Sequence, residues 1–370
     1  MVSRQLRTNR AGFTLIEILV VITIIAILAA LTLAALVKVQ DRRSNTERYQ
    51  ELDLLKKGLE EFKTTHGVFP PSRVYMLEDG DYSPTRISGL GLDATVAATS
   101  ARYLKLIFPE IKIKVRDTDA LPPAPANQRF DFNGDGDSDD LFLMQGDQCL
   151  VFFLAGVPDV PLSNTTSNVE QRGFVRSGWN PCPIDLNDSF ARLRVRTLNL
   201  HDSFQKPGMR RLEYKACTSY TGNAVNMPVI IDPDFPVDSS RLATFYYFSA
   251  YEGAGYQPSD GDEPGEQSAV FQIAWPTKTT VNSPGPNPYT IGAANPGTGG
   301  FVKFHRSETY QLIAPGQDGL YGVGGPLPED GSHGNGFGAA DTGSGGGDNM
   351  VNFAGGKRLR DVRIGDVESK

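Results

Sequence analysis

Cysteine is scarce in this chain. Cys149, Cys182 and Cys217 are all that 370 residues contain. Spacings of 33 and 35 residues fit no metal knuckle, and three thiols cannot build a disulfide-dense scaffold. In an exported domain one pair can bridge and leave the third thiol over. The alternative is three buried thiols, and spacing does not choose a pair. Histidine is as thin. His66, His201, His305 and His333 lie far apart with neither zinc nor catalytic spacing, and read as ordinary core or surface residues. The two tryptophans, Trp179 and Trp275, read as packing residues. There is no Gly-x-Ser-x-Gly, no Walker loop and no His-Glu-x-x-His. Gly89-x-Gly91-x-x-Ala94 approaches a dinucleotide-binding turn, but no strand precedes it to complete a βαβ unit. The chain therefore carries no enzyme signature. Positive excess is missing too: 36 basic against 43 acidic residues give −7, which argues against nucleic-acid binding by the surface as a whole.

A different absence marks the N-terminus. From Ile18 to Val37 no residue is charged, a run of about the length that crosses a bilayer as a helix. Before it, residues 1–12 carry Arg4, Arg7 and Arg10 and no acid. A secretory signal peptide also begins with a basic stretch, but its cleavage site follows the apolar run. Here Ala29, Ala30, Ala34 and Ala35 are scattered inside the run, and no small-x-small site closes it. The arginines favour the cytoplasmic side, which directs the C-terminal bulk outward. One carboxylate, Glu17, stands at the start of the run, where a charge is costly and marks function by default. Thr14-x-x-Glu17 also matches a capping box, so a plain helix cap is its other reading.

Gly12-Phe13-Thr14-Leu15-Ile16-Glu17 resembles the prepilin motif of type IV pilins and type II secretion pseudopilins. The resemblance implies that a membrane prepilin peptidase cuts between Gly12 and Phe13 and methylates the new amine of Phe13. It implies that Glu17 faces the positive N-terminus of a neighbouring subunit, which pairs an otherwise costly buried carboxylate and favours the correct axial stagger. Loss of the three leader arginines would leave 33 basic against 43 acidic residues, or −10. The proline often found about 22 residues into the mature helix of this family is absent; Ala34 stands there, so no proline kink is expected.

Beyond Val37 the pattern stays helical but becomes amphipathic. Tyr49, Leu52, Leu55, Leu59 and Phe62 recur every three or four residues and form one stripe, with Glu51, Asp53, Lys56, Lys57, Glu60 and Glu61 between them. Gly67 and then Pro70-Pro71 stop the helix near His66. A helix from Phe13 to Thr65 would be roughly 80 Å long. Its one-sided stripe predicts a sheet packed against it. Leu59, Glu60, Phe62, Lys63, Gly67, Phe69 and Pro70 are similar to the helix end and following turn of major pseudopilins.

Residues 72–92 read as an irregular loop, and Asp93–Phe108 as a second helix with Val96, Tyr103, Leu104, Ile107 and Phe108 on its apolar face. Cys149–Ala155 is a continuous apolar run, either buried strand or helix. Strand candidates are Arg192–Thr197, Arg211–Tyr214, Val229–Ile231, Thr244–Ala250, Val270–Ala274, Phe301–Phe304 and Thr309–Ala314. The expected fold is α+β and pilin-like: a long N-terminal helix on an antiparallel head. Its parts would be a leader (1–12), a transmembrane half of the helix (13–37), an amphipathic half (38–66) and an extracytoplasmic head (67–370). Within the head, residues 316–356 are glycine-dominated and read as a long loop, mobile unless tied down.

Two stretches have the oxygen-rich pattern of calcium loops. Asp131, Asn133, Asp135, Asp137 and Asp139 alternate, with Gly136 at the sharp turn; Phe142 stands where a closing glutamate is expected, and Asp140 is a candidate for closing a shorter loop. The competing reading is a solvated acidic turn. The second stretch is similar to the C-terminal calcium loop of major pseudopilins. There Asp318, Asp348 and Asn349 match residue by residue, the insertion at 323–347 is longer than in that family, and Asp341 is a further candidate. A structural calcium joining distant segments would offset the ordering entropy of so much glycine.

The sequence thus reads as a non-enzymatic prepilin-type subunit of a type II secretion pseudopilus or a type IV pilus-like filament. The implied partners are other copies or related subunits through the first helix, the prepilin peptidase, the inner-membrane assembly platform and lipid, without nucleic acid. The implied location is the inner membrane, single-pass, with the head in the periplasm or at the cell surface. The alternative is a membrane-anchored, calcium-dependent binding module that never polymerises; such a module has no need of Glu17.

Overall fold

The computed structural model describes residues 15–109, 111–120, 132, 139–155, 212–223, 225–231, 243–256, 287–291, 303–316, 319, 321, 324–326, 349–355 and 358–359. The chain divides into two compact units, Met1–Arg48 and Tyr49–Lys370.

Helix α1 runs Leu15–His66. It stops where Gly67 turns left-handed (φ 79°) and its N–H closes onto the Lys63 carbonyl at 2.7 Å, a conformation a side chain would disfavour. In the second unit, apolar burial on α1 begins at Leu52; Leu55, Leu59 and Phe62 are completely buried, whereas Tyr49 is exposed. Spacing identifies the apolar face of a helix but not how far along it the neighbours reach, so Tyr49 falls outside the contact. The stripe meets a mixed surface rather than a plain sheet. Phe62 stands edge-on to Phe153 at 6.2 Å, and Glu60 approaches the Tyr310 hydroxyl at 3.5 Å.

Residues 72–92 are not irregular. They hold β1 (Val74–Leu77) and the short α2 (Pro84–Gly89). Four residues buried on both faces show no alternation, so β1 leaves no periodic trace. The expected second helix is α3 (Ala94–Ile107), whose first turn is capped by Asp93 accepting from the Thr95 and Val96 N–H groups. Strand β2 (Leu141–Met144) precedes α4 (Gly146–Ala155). The run at 149–155 is therefore helical, and its residues 149–154 are buried in the core, as an all-round apolar helix must be. Gly146 is required there, because a Cβ would lie 2.0 Å from the Tyr247 carbonyl oxygen.

The remaining strands are β3 (Leu212–Ala216), β4 (Thr218–Ser219), β5 (Asn226–Ile230), β6 (Tyr246–Ser249), β7 (Asn287–Thr290), β8 (Tyr310–Ala314), β9 (Gly324–Pro326) and β10 (Met350–Val351). Among the described residues the strands form four small sheets: β1-β2-β4, β10-β8-β6, β3-β5 and β7-β9, the last parallel and the others antiparallel. The fold is α+β, but its sheet is divided and one pair runs parallel. Strand candidates near 211, 229, 244 and 309 correspond to β3, β5, β6 and β8. Phe304 forms only an isolated bridge to Thr290. Candidates at 192–197 and 270–274, together with Cys182, Trp179 and Trp275, lie outside the described residues.

The sheet β10-β8-β6 divides two apolar clusters. Tyr247, Tyr310, Leu312, Ala314 and Met350 enter the main core, while Tyr246, Phe248, Ile313 and Val351 enter a second one with Tyr256, Tyr289 and Phe353. Burial on both faces is why these strands read as continuous apolar runs. The turn after α1 is tied to this sheet: the Tyr247 hydroxyl donates to the Pro70 carbonyl at 2.7 Å, and the Ser249 N–H to Ser72 Oγ at 2.9 Å. Side chains close the outer edge of β1. Ser100 Oγ accepts from the Tyr75 N–H, and the Tyr82 hydroxyl accepts from the Leu77 N–H while donating to the Tyr75 carbonyl.

Candidate functional site

The N-terminal segment is the first candidate. From Leu15 to Thr32 every side chain of α1 is exposed, although the mean hydropathy of these 18 residues is 2.8. By length and composition the segment is able to cross a membrane. Its two hydroxyls are satisfied internally: Thr23 Oγ1 donates to the Leu19 carbonyl at 2.7 Å, and Thr32 Oγ1 to Leu28 and Ala29 at 2.9 and 3.0 Å. That is how threonine is tolerated where no water is available to bond it. Glu17 lies in the first turn. Gly12 and Phe13 lie outside the described residues.

Residues 7–33 match the family model of the prokaryotic N-terminal methylation motif. The match covers the N-terminal segment alone and supports a type IV pilin-like reading there. No curated protein and no solved structure matches the chain. The motif implies processing by a prepilin peptidase and assembly with other pilin subunits; together with the apolar helix it indicates a membrane-anchored, structural subunit rather than an enzyme.

The second candidate is the C-terminal segment of the chain. Asp318 and Asp348 lie outside the described residues, but their neighbours Gly319 and Asn349 do not. Strand β10 pairs with β8, Met350 opposite Ala314, and brings Asn349 beside the turn in which the Gly319 N–H donates to the Gly316 carbonyl. Asn349 is fully buried. Its Oδ1 accepts from the Gly316 N–H at 3.1 Å, and its Nδ2 donates to the Tyr321 carbonyl at 2.8 Å and the Tyr289 hydroxyl at 3.0 Å. Among the described residues of the expected loop at 316–356, Asn349 joins Gly316 and Tyr321, and 324–326 and 350–351 form β9 and β10.

The acidic stretch is the third. Asp131, Asn133, Asp135 and Asp137 lie outside the described residues; Asp139 is exposed and Asp140 buried. Asp140 accepts on Oδ1 from Thr221 at 3.2 Å and from Asn223 at 2.9 Å, so this oxygen already has two protein partners. Sequence reasoning missed Glu78. Its carboxylate is completely buried at the end of β1 and joins both ends of the stretch, accepting from the Phe132 N–H at 2.8 Å and the Asp140 N–H at 3.1 Å. Partners 54 and 62 residues away leave no local signal for it. Among the described residues no three His, Cys, Asp or Glu side chains gather in a way that could hold a metal ion.

A buried polar cluster surrounds the start of α4. Asp147 Oδ2 meets Lys215 Nζ at 2.8 Å and accepts from Thr244 Oγ1 at 3.0 Å, and Lys215 also reaches the Tyr246 hydroxyl at 3.3 Å. Burial opposes the charge on Lys215, but Asp147 and Tyr246 outweigh it and hold its pKa above the ordinary lysine value. Burial likewise pushes the neighbouring Cys217 thiol up, away from reactive thiolate. Cys149 and Cys217 are not joined to each other. The cluster joins the start of α4 to β3 and β6.

Proposed function

We propose that the protein is a prepilin-type subunit, cleaved after Gly12 and N-methylated on Phe13, that assembles into a type II secretion pseudopilus or a type IV pilus-like filament. The methylation motif at residues 7–33 carries the reading, because it joins a processing site to an apolar helix that stays in the mature chain. After cleavage Glu17 meets the new amine of an adjacent subunit; a carboxylate in an apolar filament core is stable only when so paired. The arginine-rich leader keeps the N-terminus cytoplasmic and places the head outside the inner membrane. The helix end and turn from Leu59 to Pro70 favour the secretion branch.

Calcium is a subsidiary proposal. It would be held at Asp318 and Asp348, and by the stretch from Asp131 to Asp139, in a structural role. The alternating oxygen residues and the tight glycine turns support it.

N-terminal mass spectrometry of the mature protein tests the main reading. We expect a methylated Phe13; an intact leader, or cleavage after Ala35, would sink it. Glu17→Ala should keep the subunit membrane-bound and out of filaments. Normal entry of that variant into filaments would remove the assembly role of Glu17.

A further inference from the structure

The C-terminal segment returns to the sheet through two asparagines. Strand β10 has only two residues and two ladder positions, Met350 opposite Ala314 and Val351 opposite Ile313, which is little to hold a segment that follows a glycine-rich stretch. Asn352 extends the pairing with its side chain. Its Oδ1 accepts from the Leu312 N–H at 3.0 Å, its Nδ2 donates to the Tyr310 carbonyl at 3.2 Å, and its own N–H donates to the Leu312 carbonyl at 3.1 Å. Asn349 does the same work one turn earlier, binding Gly316, Tyr321 and Tyr289, while its carbonyl accepts from the Leu359 N–H at 2.9 Å.

Each side chain faces one backbone N–H and one backbone carbonyl. That pair of partners fixes the orientation of the amide: oxygen to the donor, nitrogen to the acceptor. A carboxylate at either position would set an oxygen against a carbonyl oxygen, at 2.8 Å for Tyr321 and 3.2 Å for Tyr310, with no proton between them. Both sites are buried, so water cannot relieve the clash. The tie continues inward. Tyr321 donates its hydroxyl to the Thr244 carbonyl, and Thr244 Oγ1 donates to Asp147 at the start of α4.

We propose that Asn349 and Asn352 form an amide latch closing the C-terminal segment onto β8, and that position 349 requires an amide whether or not a cation binds nearby. The latch does not depend on the filament reading. It takes Asn349 out of the calcium ligand set. The two roles make opposite demands on one substitution. As a ligand, an added carboxylate at 349 keeps or strengthens calcium binding; as a latch, it breaks the closure.

The test uses the full-length protein in detergent, with limited proteolysis and hydrogen exchange across 349–355 in calcium and in chelator. Asn349→Asp should speed cleavage of the segment by about tenfold in both buffers, and Asn352→Asp by about threefold in both. Wild-type protection of Asn349→Asp in calcium, lost only in chelator, would establish the ligand role and overturn the latch. Wild-type protection of both variants in both buffers would also overturn it. If Asn349→Asp does not accumulate, Asn352→Asp decides: opening in both buffers supports the latch, and wild-type protection refutes it.

Discussion

Two stretches of one helix follow opposite rules. Between Leu15 and Thr32 apolar side chains are exposed throughout, whereas Leu52, Leu55, Leu59 and Phe62 are buried to within a few per cent and Leu54 is partly buried. The same residue types serve two solvents. In the first stretch burial has to come from lipid or from other subunits; in the second it comes from the chain's own α4 and β8. Exposure of a leucine is therefore informative only once the medium is known.

The largest expected effect separates the two. Phe62→Ala should lower the stability of the head by about 3–5 kcal/mol, since it removes a completely buried ring beside Phe153. Ile25→Ala should leave head stability unchanged. Chemical denaturation in detergent, followed by tryptophan emission, compares them; equal losses would dissolve the contrast. Asp147→Ala should cost about 3 kcal/mol, because it leaves the partly buried Lys215 ammonium without its carboxylate. A drop under about 1 kcal/mol would show that the pair behaves as a surface bridge. Ile24→Arg acts only on the first stretch. It should raise the cost of insertion by about 3 kcal/mol and move the protein from the membrane fraction, with the head's melting transition intact. Gly146→Ala acts only on the second and should cost about 1–3 kcal/mol by forcing α4 off the Tyr247 backbone; an unchanged melting temperature would mean that α4 has room to move.

The smallest effect is on pH dependence. Lys215 has a pKa raised by folding, so its contribution is complete below the ordinary value of 10.5 and fades as pH climbs above it. Buried phenols, Tyr247 and Tyr256 among them, resist ionisation and weaken the head over the same alkaline range. Unfolding measured at pH 7 and pH 11 should fall less in Asp147→Ala than in the wild type; identical falls would assign the alkaline loss to the tyrosines alone.

Legibility in the sequence followed range. α1 and α3 were readable because their signals repeat every three or four residues and their boundary residues, Gly67 after α1 and Asp93 before α3, are local. The run at 149–155 was apolar enough to be core but too uniform to declare its period. β1, β2 and the two-residue strands were too short to show any. At the candidate sites Glu17 and the leader were legible as a pattern, whereas Glu78 was not: its meaning lies in two N–H groups far along the chain. Asn349 was legible only as a candidate calcium ligand; the contacts that bury its amide, with Gly316, Tyr321 and Tyr289, lie far from it in the chain.

By itself the sequence determined the membrane-compatible helix, its processing motif and the class of the fold. Those rest on transfer free energy and on spacing along one element, which are properties of consecutive residues. Tertiary structure alone decided that the head's sheet is divided, that a helix runs through its core, that Tyr49 stays outside, and that two asparagines hold the C-terminal segment. Each of these is a contact between residues far apart in the chain, and such pairing is selected by the packing of the whole core rather than by any local preference.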